Sequence, residues 1–186
     1  FDGGTSPSLM NEVRRLRKIS FQGVGVTLND EQQMECGDTD GSFRQLVLWN
    51  NSAQAVMGGY RYAVGCELAP SRLTLSRYFH MSEDFIRDYL PVSLELGRTF
   101  IAPDYQRTSG ALYALDALWE GLAVVVARYD IQYLVGRVTL YPSLGVRARN
   151  LLMGFMRYIF PGREGLLQAR YPFYGGVSKQ LSLIHI

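Results

Sequence analysis

The chain has 186 residues, of which 47% are apolar and 19% are charged, and its net charge is +2. This composition excludes a disordered chain and fits one domain that can bury a core without a disulfide or metal. Two cysteines make no disulfide framework and are too few ligands for a zinc site, so we expect no metal. The two histidines, His80 and His185, are far apart in sequence, and counting alone leaves a Cys–His hydrolase pair open as an alternative. The longest apolar stretch, residues 121–127, is far shorter than the ~20 residues of a membrane span. Nothing resembles a signal peptide, so we expect a cytoplasmic protein.

Both ends of the chain are expected to depart from the natural protein. Residue 1 is Phe, so we expect a natural N-terminus further upstream. Residues 181–186 match the translation of a common sequencing adapter, so we expect them to be non-native; an ordinary apolar strand is the alternative. The domain is therefore expected to span residues 1–175, truncated at both ends, with a tail at 176–186.

The first half of the chain predicts a helix, a loop and a hairpin. Ser6-Pro7 is typical of a helix start, and the apolar residues that follow at helical spacing predict a helix ending near Ser20. The glycine-containing, acidic residues 22–42 predict a long loop. Residues 46–49 and 55–64 predict the two strands of an antiparallel hairpin, with turn residues between them.

The second half predicts strands that alternate with helices. Ser82 is expected to cap a short helix that Pro91 ends. Strands are predicted at 92–101 and 131–140, on either side of a helix that starts after Gly110. That order requires a crossover, so the two strands are expected to be parallel neighbours.

Two of the helices show apolar stripes that predict core packing. The stripe after Gly110 consists of Leu112, Leu115, Leu118, Trp119, Leu122 and Val126. A last helix near 144–159 shows a second stripe, with Arg147 and Arg157 on the opposite face. The predicted fold class is therefore α/β, a mixed sheet flanked by helices.

Residues 93–110 are the segment with the clearest chemical pattern. They predict a strand, a Gly/Ser/Thr loop and a helix N-terminus in that order. Such a loop exposes backbone N–H groups, the helix dipole adds partial positive charge, and Arg107 adds a full one. The segment therefore predicts a site for a phosphate or pyrophosphate.

Several motifs carry a family resemblance over residues 43–160. The spacing Arg107-x-x-Gly110-x-Leu112 resembles the [R/Q]-x-x-G-x-[G/A] signature of the GNAT superfamily of N-acyltransferases, with Leu at the sixth position. The segment E-L-G-R-T-F at 95–100 resembles the motif of its ornithine-lipid and glycine-lipid N-acyltransferase branch, the hemolysin-like proteins. It is also similar to the E-x-x-R-F pattern of acyl-homoserine lactone synthases. Three further segments resemble that branch: G-G-Y-R at 58–61, L-W-E-G-L at 118–122 and G-R-V-T at 136–139.

The resemblance implies a GNAT-like fold that transfers an acyl group, of long chain length in this branch, to an amine in amino-acid lipid synthesis. It implies an acyl carrier protein or acyl-CoA thioester as co-substrate, no permanently bound cofactor and no nucleic acid. Glu95 would act as base, Arg98 as its partner or as a ligand of the acceptor carboxylate, and Tyr141 as acid for the leaving thiolate. Backbone groups near Phe100 would stabilise the oxyanion. The expected donor-binding residues are Phe100, Ile101, Arg107, Thr108, Ser109, Gly110 and Ala111, and the expected substrate-binding residues are Arg61 and Tyr62.

Simpler roles remain open for most of these residues. Glu95 and Arg98 could pair within the sheet, although i, i+3 spacing places them on one face only if a bulge intervenes, which Gly97 would permit. Arg61 could be a solvated strand residue. Tyr141 could pack in the core instead of acting as an acid. Trp119 is expected in the core, and His80 is expected to be a loop or helix-flank residue and not a base.

Charge divides the chain into two unequal parts. Residues 1–130 carry 12 basic and 16 acidic groups, whereas residues 131–186 carry 7 basic and 1 acidic group. The Arg-rich third fits docking of an acidic carrier protein, or peripheral association with the inner membrane face. Alternatives to catalysis are therefore a carrier-binding domain without activity and a basic membrane-surface module.

Overall fold

The structure, a computed structural model, describes residues 1–22, 36–38, 40–106, 110–140, 142–163 and 165–171. The helices of these residues are α1 (Pro7–Gln22), α2 (Pro103–Gln106), α3 (Gly110–Arg128) and α4 (Gly145–Ile159). The strands are β1 (Arg44–Asn50), β2 (Ala55–Val64), β3 (Phe79–Met81), β4 (Ser93–Ile101), β5 (Tyr133–Gly136) and β6 (Leu167–Ala169).

The central sheet has the strand order β1-β2-β4-β5. β1 and β2 form the predicted antiparallel hairpin, and β2 pairs antiparallel with β4. β4 and β5 are parallel, as the crossover through α3 requires. The mixed sheet flanked by helices is thus confirmed. β3 and β6 form a separate two-stranded ladder that the sequence did not predict, because three-residue strands are too short to show an alternating pattern.

Helices cover both faces of the central sheet. On one face, Met10, Val13 and Leu16 of α1 pack against Val56 and Phe100. On the other face, α3 packs Leu122 and Val125 in a cluster with residues of β2 and β4: Tyr62, Val64 and Leu94. Each helix therefore fixes one side of the strands that carry the predicted site residues.

β5 is shorter than the predicted strand at 131–140. Its last pair is Leu96 with Gly136, and residues 137–140 are irregular. The β2–β4 register shifts just beyond this point, because β4 holds one extra residue between Gly97 and Phe100. A bulge re-aims the backbone and increases its twist, so β5 cannot follow β4 past it.

The prediction that the two apolar stripes are core is only partly right. Trp119 was expected in the core but is 53% exposed, since it lies at the edge of the buried face of α3 and meets Tyr60 edge-on. Among the described residues of α4, none is buried, and the large apolar residues of its predicted core stripe, such as Leu151 and Phe155, are exposed. α3 is long and apolar enough to cross a membrane by length and composition alone, a test that core helices also pass.

The chain packs tightly against Leu90 at Gly65, directly after β2. A Cβ at this position would lie 2.0 Å from the backbone carbonyl oxygen of Leu90, which cannot move without shifting the main chain. Gly65→Ala is expected to lower the free energy of unfolding by about 1–3 kcal/mol in urea titrations. Gly162→Ala is the control, since a Cβ there meets nothing within 4 Å, and it should change stability by less than ~0.5 kcal/mol. Equal effects of the two variants would contradict this packing.

Candidate active site

Three neighbouring strands place polar side chains on the same face of the sheet. Gln45 of β1 is paired in register with Arg61 of β2, and residues paired in register point to the same face. Arg61 is in turn paired with Gly97, and Ala63 with Glu95, so Glu95 of β4 also lies on this face. α1 covers this face near Phe100, and the turn Thr74–Arg77 covers it at Glu95.

The buried carboxylate of Asp38 lies at the centre of the polar side chains on this face and contacts Arg17, Gln45 and Arg61. Arg17 of α1 donates from Nη1 to Asp38 Oδ2 at 3.2 Å and from Nη2 to the side-chain carbonyl of Gln45. Gln45 Nε2 donates to Asp38 Oδ1 at 3.1 Å, and Arg61 Nη1 lies 3.6 Å from the same oxygen. Asp38 is 1% and Arg61 2% exposed. Burial lowers the pKa of Arg17 to about 10, although the nearby Asp38 opposes this shift.

Glu95 is held at the edge of the same network. Its Oε2 accepts the backbone N–H of Thr74 at 3.0 Å, and its Oε1 accepts that of Leu75 at 2.9 Å. Arg61 Nη2 donates to Thr74 Oγ1 at 2.9 Å and so joins Glu95 to the Asp38 network. Glu95 is only 6% exposed, and burial raises the pKa of its carboxyl despite the two N–H groups and the charge of Arg61.

The bulge that would bring Arg98 towards the face of Glu95 is present in β4. The residue with left-handed backbone there is Arg98, with φ of 52°, and not Gly97 as the sequence suggested. Arg98 is partly exposed and lies close enough to Arg17 to contribute to the lowered pKa of that guanidinium. The bulge therefore places a second cation beside the buried network.

An opening between β4 and β5 follows the bulge. β4 continues to Ile101, but no strand of the described residues pairs with β4 on the β5 side after Leu96. Phe100 lies in this half of β4, and its ring packs against the α1 cluster. The backbone of β4 beyond Leu96 is therefore free of a strand partner on the β5 side among the described residues.

Three other predicted site residues, Tyr62, Arg61 and Ile101, differ in which face of the sheet they occupy and in how deeply they are buried. Tyr62 is buried on the opposite face, against α3, so it does not join Arg61. Arg61 is not a solvated strand residue, since it is fully buried with its guanidinium 4.2 Å from the ring centroid of Phe43. Ile101 is half-buried, and its carbonyl accepts the hydroxyl of Ser20 at 3.0 Å.

Several expectations fall at or outside the limits of the described residues. Gly110 and Ala111 begin α3, at the end of the predicted donor loop. The remaining donor-loop residues, with the proposed acid, lie outside the described residues: Arg107, Thr108, Ser109 and Tyr141. His80 is exposed in the middle of β3 and paired with Gln168, so the expected loop or helix-flank position was wrong. The described residues hold no group of His, Cys, Asp or Glu that could bind a metal.

Sequence reasoning missed four members of the network, namely Arg17, Asp38, Gln45 and Thr74. The positions of two of these residues in the sequence pattern do indicate that they are buried. Arg17 lies four residues after Val13, so it falls on the buried face of α1. Gln45 is two residues after the buried Phe43 and continues its alternation. An Arg on an apolar helix face is a stronger indication of a buried partner than the charge count that we used.

One cleft among the described residues lies away from this site. It has a volume of about 580 Å³ and is lined by charged and aromatic side chains that include Arg87, Tyr89 and Tyr133. Tyr133 pairs with Ser93, the first residue of β4, so the cleft lies at the end of the strand away from the bulge. We therefore place the candidate active site at Glu95 and the β4–β5 opening.

Comparison with known proteins identifies the family of the chain. The family model described as "Acetyltransferase (GNAT) domain" matches residues 16–116, and the chain belongs to this family. The chain is 38% identical over 178 residues to a glycine N(alpha)-acyltransferase of Bacteroides thetaiotaomicron, covering 90% of the chain and 52% of that protein. A glycine N(alpha)-acyltransferase of Phocaeicola vulgatus is 35% identical, with 90% and 54% covered. The chain thus spans about half the length of these curated relatives.

A solved structure supports the fold independently. The N-acyl amino acid synthase FeeM, from uncultured soil microbes, superposes with a TM-score of 0.51 at 11% identity, over 74% of this chain and 75% of FeeM. At this identity the likeness concerns the fold alone. The GNAT-like fold expected from the motifs is confirmed.

The Asp38 network generates a stability prediction. Asp38→Ala would leave the buried guanidinium groups of Arg17 and Arg61 without their shared carboxylate, and we expect a loss of about 3–5 kcal/mol in unfolding free energy. Asp84→Ala is the matched control, because Asp84 pairs with Arg87 at 2.7 Å on the surface. The control should cost less than ~1 kcal/mol. Chemical denaturation of both variants measures the difference, and similar losses would show that the buried network is not special.

Proposed function

We propose that this chain is the catalytic domain of an N-acyltransferase that moves an acyl group from a thioester to the amino group of glycine or a similar small amino acid. The observation that carries the proposal is Glu95, a buried carboxylate with a raised pKa at the β4–β5 opening of a GNAT sheet. The names of the two curated relatives support glycine as acceptor.

Glu95 is suited to act as the general base. Each carboxylate oxygen accepts one backbone N–H and retains a further lone-pair site for the amine of the acceptor or a bridging water. The raised pKa brings the carboxyl closer to neutrality, where a base is most effective. The acceptor nitrogen would lose its proton to Glu95 as its lone pair forms the new bond to the acyl carbon.

The remaining steps of the transfer need an oxyanion site and an acid. The unpaired side of β4 near Phe100 supports a role for backbone N–H groups in stabilising the negative oxygen of the tetrahedral intermediate. The carbon–sulfur bond of the thioester then breaks, and Tyr141 would give its proton to the leaving thiolate. Arg98, beside the network, would hold Glu95 in its charged form or bind the acceptor.

The donor is proposed to approach from the C-terminal end of β4. Ile101 ends β4, and Gly110 and Ala111 open α3, whose N-terminus favours a phosphate group. Arg107, Thr108 and Ser109 join these two ends in sequence and would contact the phosphate-bearing arm. Either an acyl-CoA or an acyl carrier protein would serve as co-substrate, with no permanently bound cofactor.

Long-chain acyl transfer to glycine would produce an amphiphile for amino-acid lipid synthesis. We propose that the enzyme works in the cytoplasm and meets the inner membrane face peripherally. Support comes from α4, whose large apolar residues are exposed beside three arginines and no acidic residue. A carrier-binding domain without activity is the competing function, and it predicts donor binding without thiol release.

Replacement of Glu95 tests the catalytic role. Glu95→Gln keeps the size of the side chain but removes the base, and we expect kcat to fall about 100-fold or more. In the wild-type enzyme, kcat/KM should rise with pH as Glu95 loses its proton. That rise should be centred above the ordinary carboxyl pKa of 4.5, because burial raises the pKa of Glu95. The variant should lack this limb of the profile, measured by thiol release.

Glu67→Gln is the control for this experiment. Glu67 also pairs with an arginine, Arg44 at 2.7 Å, but it is partly exposed and lies outside the network. Its activity and pH profile should match those of the wild type. A folded Glu95→Gln enzyme with normal kcat at all pH values would show that Glu95 only holds the turn at Thr74 and Leu75.

Charge reversal on α4 tests carrier-protein docking. An acidic carrier protein would be attracted to Arg147 and Arg157, mainly through a faster association that salt screens. We expect kcat/KM for the carrier protein to fall between about 0.01 and 0.15 M salt, as the Debye length shrinks from ~30 to ~8 Å. Reversing both arginines to Glu should flatten this dependence, and reversing the exposed Arg15 and Arg87 should not.

The same variants separate the carrier protein from a membrane. Unchanged salt sensitivity in the α4 variant would contradict carrier docking on this helix. If that variant also loses sedimentation with anionic lipid vesicles while the control variant keeps it, the α4 face serves the membrane instead.

A further inference from the structure

Arg137 follows the last residue of β5 and stands at the β4–β5 opening. Gly136 before it is paired with Leu96, one residue beyond Glu95 on β4. The guanidinium of Arg137 lies 4.0 Å from the ring centroid of Tyr78, a stacked cation–π contact. The sequence motif G-R-V-T at 136–139 contains this arginine, but the proposed mechanism gives it no role.

Tyr78 connects Arg137 with the turn that holds Glu95. The turn Thr74–Arg77 supplies the two N–H groups that bind the Glu95 carboxylate, and the N–H of Tyr78 donates to Leu75 at its end. Arg137 and Glu95 are therefore positioned by the same short segment. One presents a cation at the exposed side of the opening, and the other a carboxylate at its buried side.

An amino-acid acceptor needs both kinds of group. Its amine must reach the base, and its carboxylate, two bonds from the nitrogen, needs a cation close by. Arg17 and Arg61 are buried around Asp38 and already serve that carboxylate. Arg137 is exposed, and stacking on a ring occupies only the face of its guanidinium, so the N–H groups along its edge can bind a carboxylate in bidentate fashion.

We infer that Arg137, seated on Tyr78, binds the carboxylate of the acceptor and makes the site select amino acids over simple amines. The inference rests on the proposed function and assigns to Arg137 the carboxylate contact that the sequence motif suggested for Arg98. Arg137 is a specificity-determining residue in this account, and the bonds that form and break are unchanged.

Glycine and glycinamide test this role, because they share an amine and differ in the carboxylate. In Arg137→Gln, the KM for glycine should rise about 10- to 100-fold, the range expected for a lost charge-assisted contact. The KM for glycinamide and for the thioester donor should keep their wild-type values. Equal losses with both acceptors, or a rise confined to the donor KM, would overturn the inference.

Neighbouring residues supply matched controls. Arg170 is an exposed arginine that contacts the same segment, donating to the carbonyl of Ser76 at 2.8 Å, and Arg170→Gln should leave the glycine-to-glycinamide ratio unchanged. Tyr78→Phe keeps the ring and should behave as wild type. Tyr78→Leu removes it and should raise the KM for glycine but not for glycinamide.

Binding without turnover separates this inference from the proposed function. Equilibrium dialysis with radiolabelled glycine should show binding to the wild-type chain and much weaker binding to Arg137→Gln. Absent wild-type binding, or equal binding by the two proteins, would overturn the inference whatever the activity. Wild-type binding of glycine without thiol release from any acyl thioester would instead contradict the proposed function and leave the carboxylate site established.

Discussion

The buried carboxylate of Asp38 is the interaction on which the rest of this structure depends. Two guanidinium groups, from Arg17 and Arg61, lie beside it in surroundings that exclude water, so each charge there would be costly without the others. Through these contacts α1, β1 and β2 share one electrostatic centre. Arg61 extends it through Thr74 to the turn that holds Glu95. Because well-packed apolar residues can stabilise a core as much as a buried ion network does, the distinctive contribution of this centre is the charge of Arg61 that it presents to Glu95.

The bulge at Arg98 determines where the central sheet opens. It lies just beyond the last β4–β5 pair, and it leaves the half of β4 after Leu96 without a partner on the β5 side among the described residues. Without the extra residue, the two strands would continue side by side and close the opening at which we propose that the donor binds. A positive φ at Arg98 costs some backbone energy, which is characteristic of sites that need a particular local geometry.

Most of the fold, but only part of the site, could be predicted from the sequence. The helices α1 and α3, the hairpin and the parallel β4–β5 pair follow from periodicity and from the need for a crossover. The length of β5 could not be predicted from the sequence, because its end depends on a bulge in another strand. The network around Asp38 could not either, since its members are scattered between residues 17 and 95 and meet only when the sheet forms. Trp119 and α4 show the converse limit, because an apolar stripe indicates a face that needs a partner but does not identify that partner.

Glu95 and Arg137 illustrate how one segment can impose opposite environments on two groups. The N–H groups of Thr74 and Leu75 offset part of the cost of burying a carboxylate, yet burial still raises the pKa of Glu95, which favours proton transfer. Tyr78, at the end of the same turn, contacts the guanidinium of Arg137 while solvent keeps that group hydrated and charged. An acceptor lying between them would expose its amine to the low-dielectric side and its carboxylate to the solvated side. Because the amine must become neutral and the carboxylate must stay charged, this orientation places each group where its reactive form is the stable one.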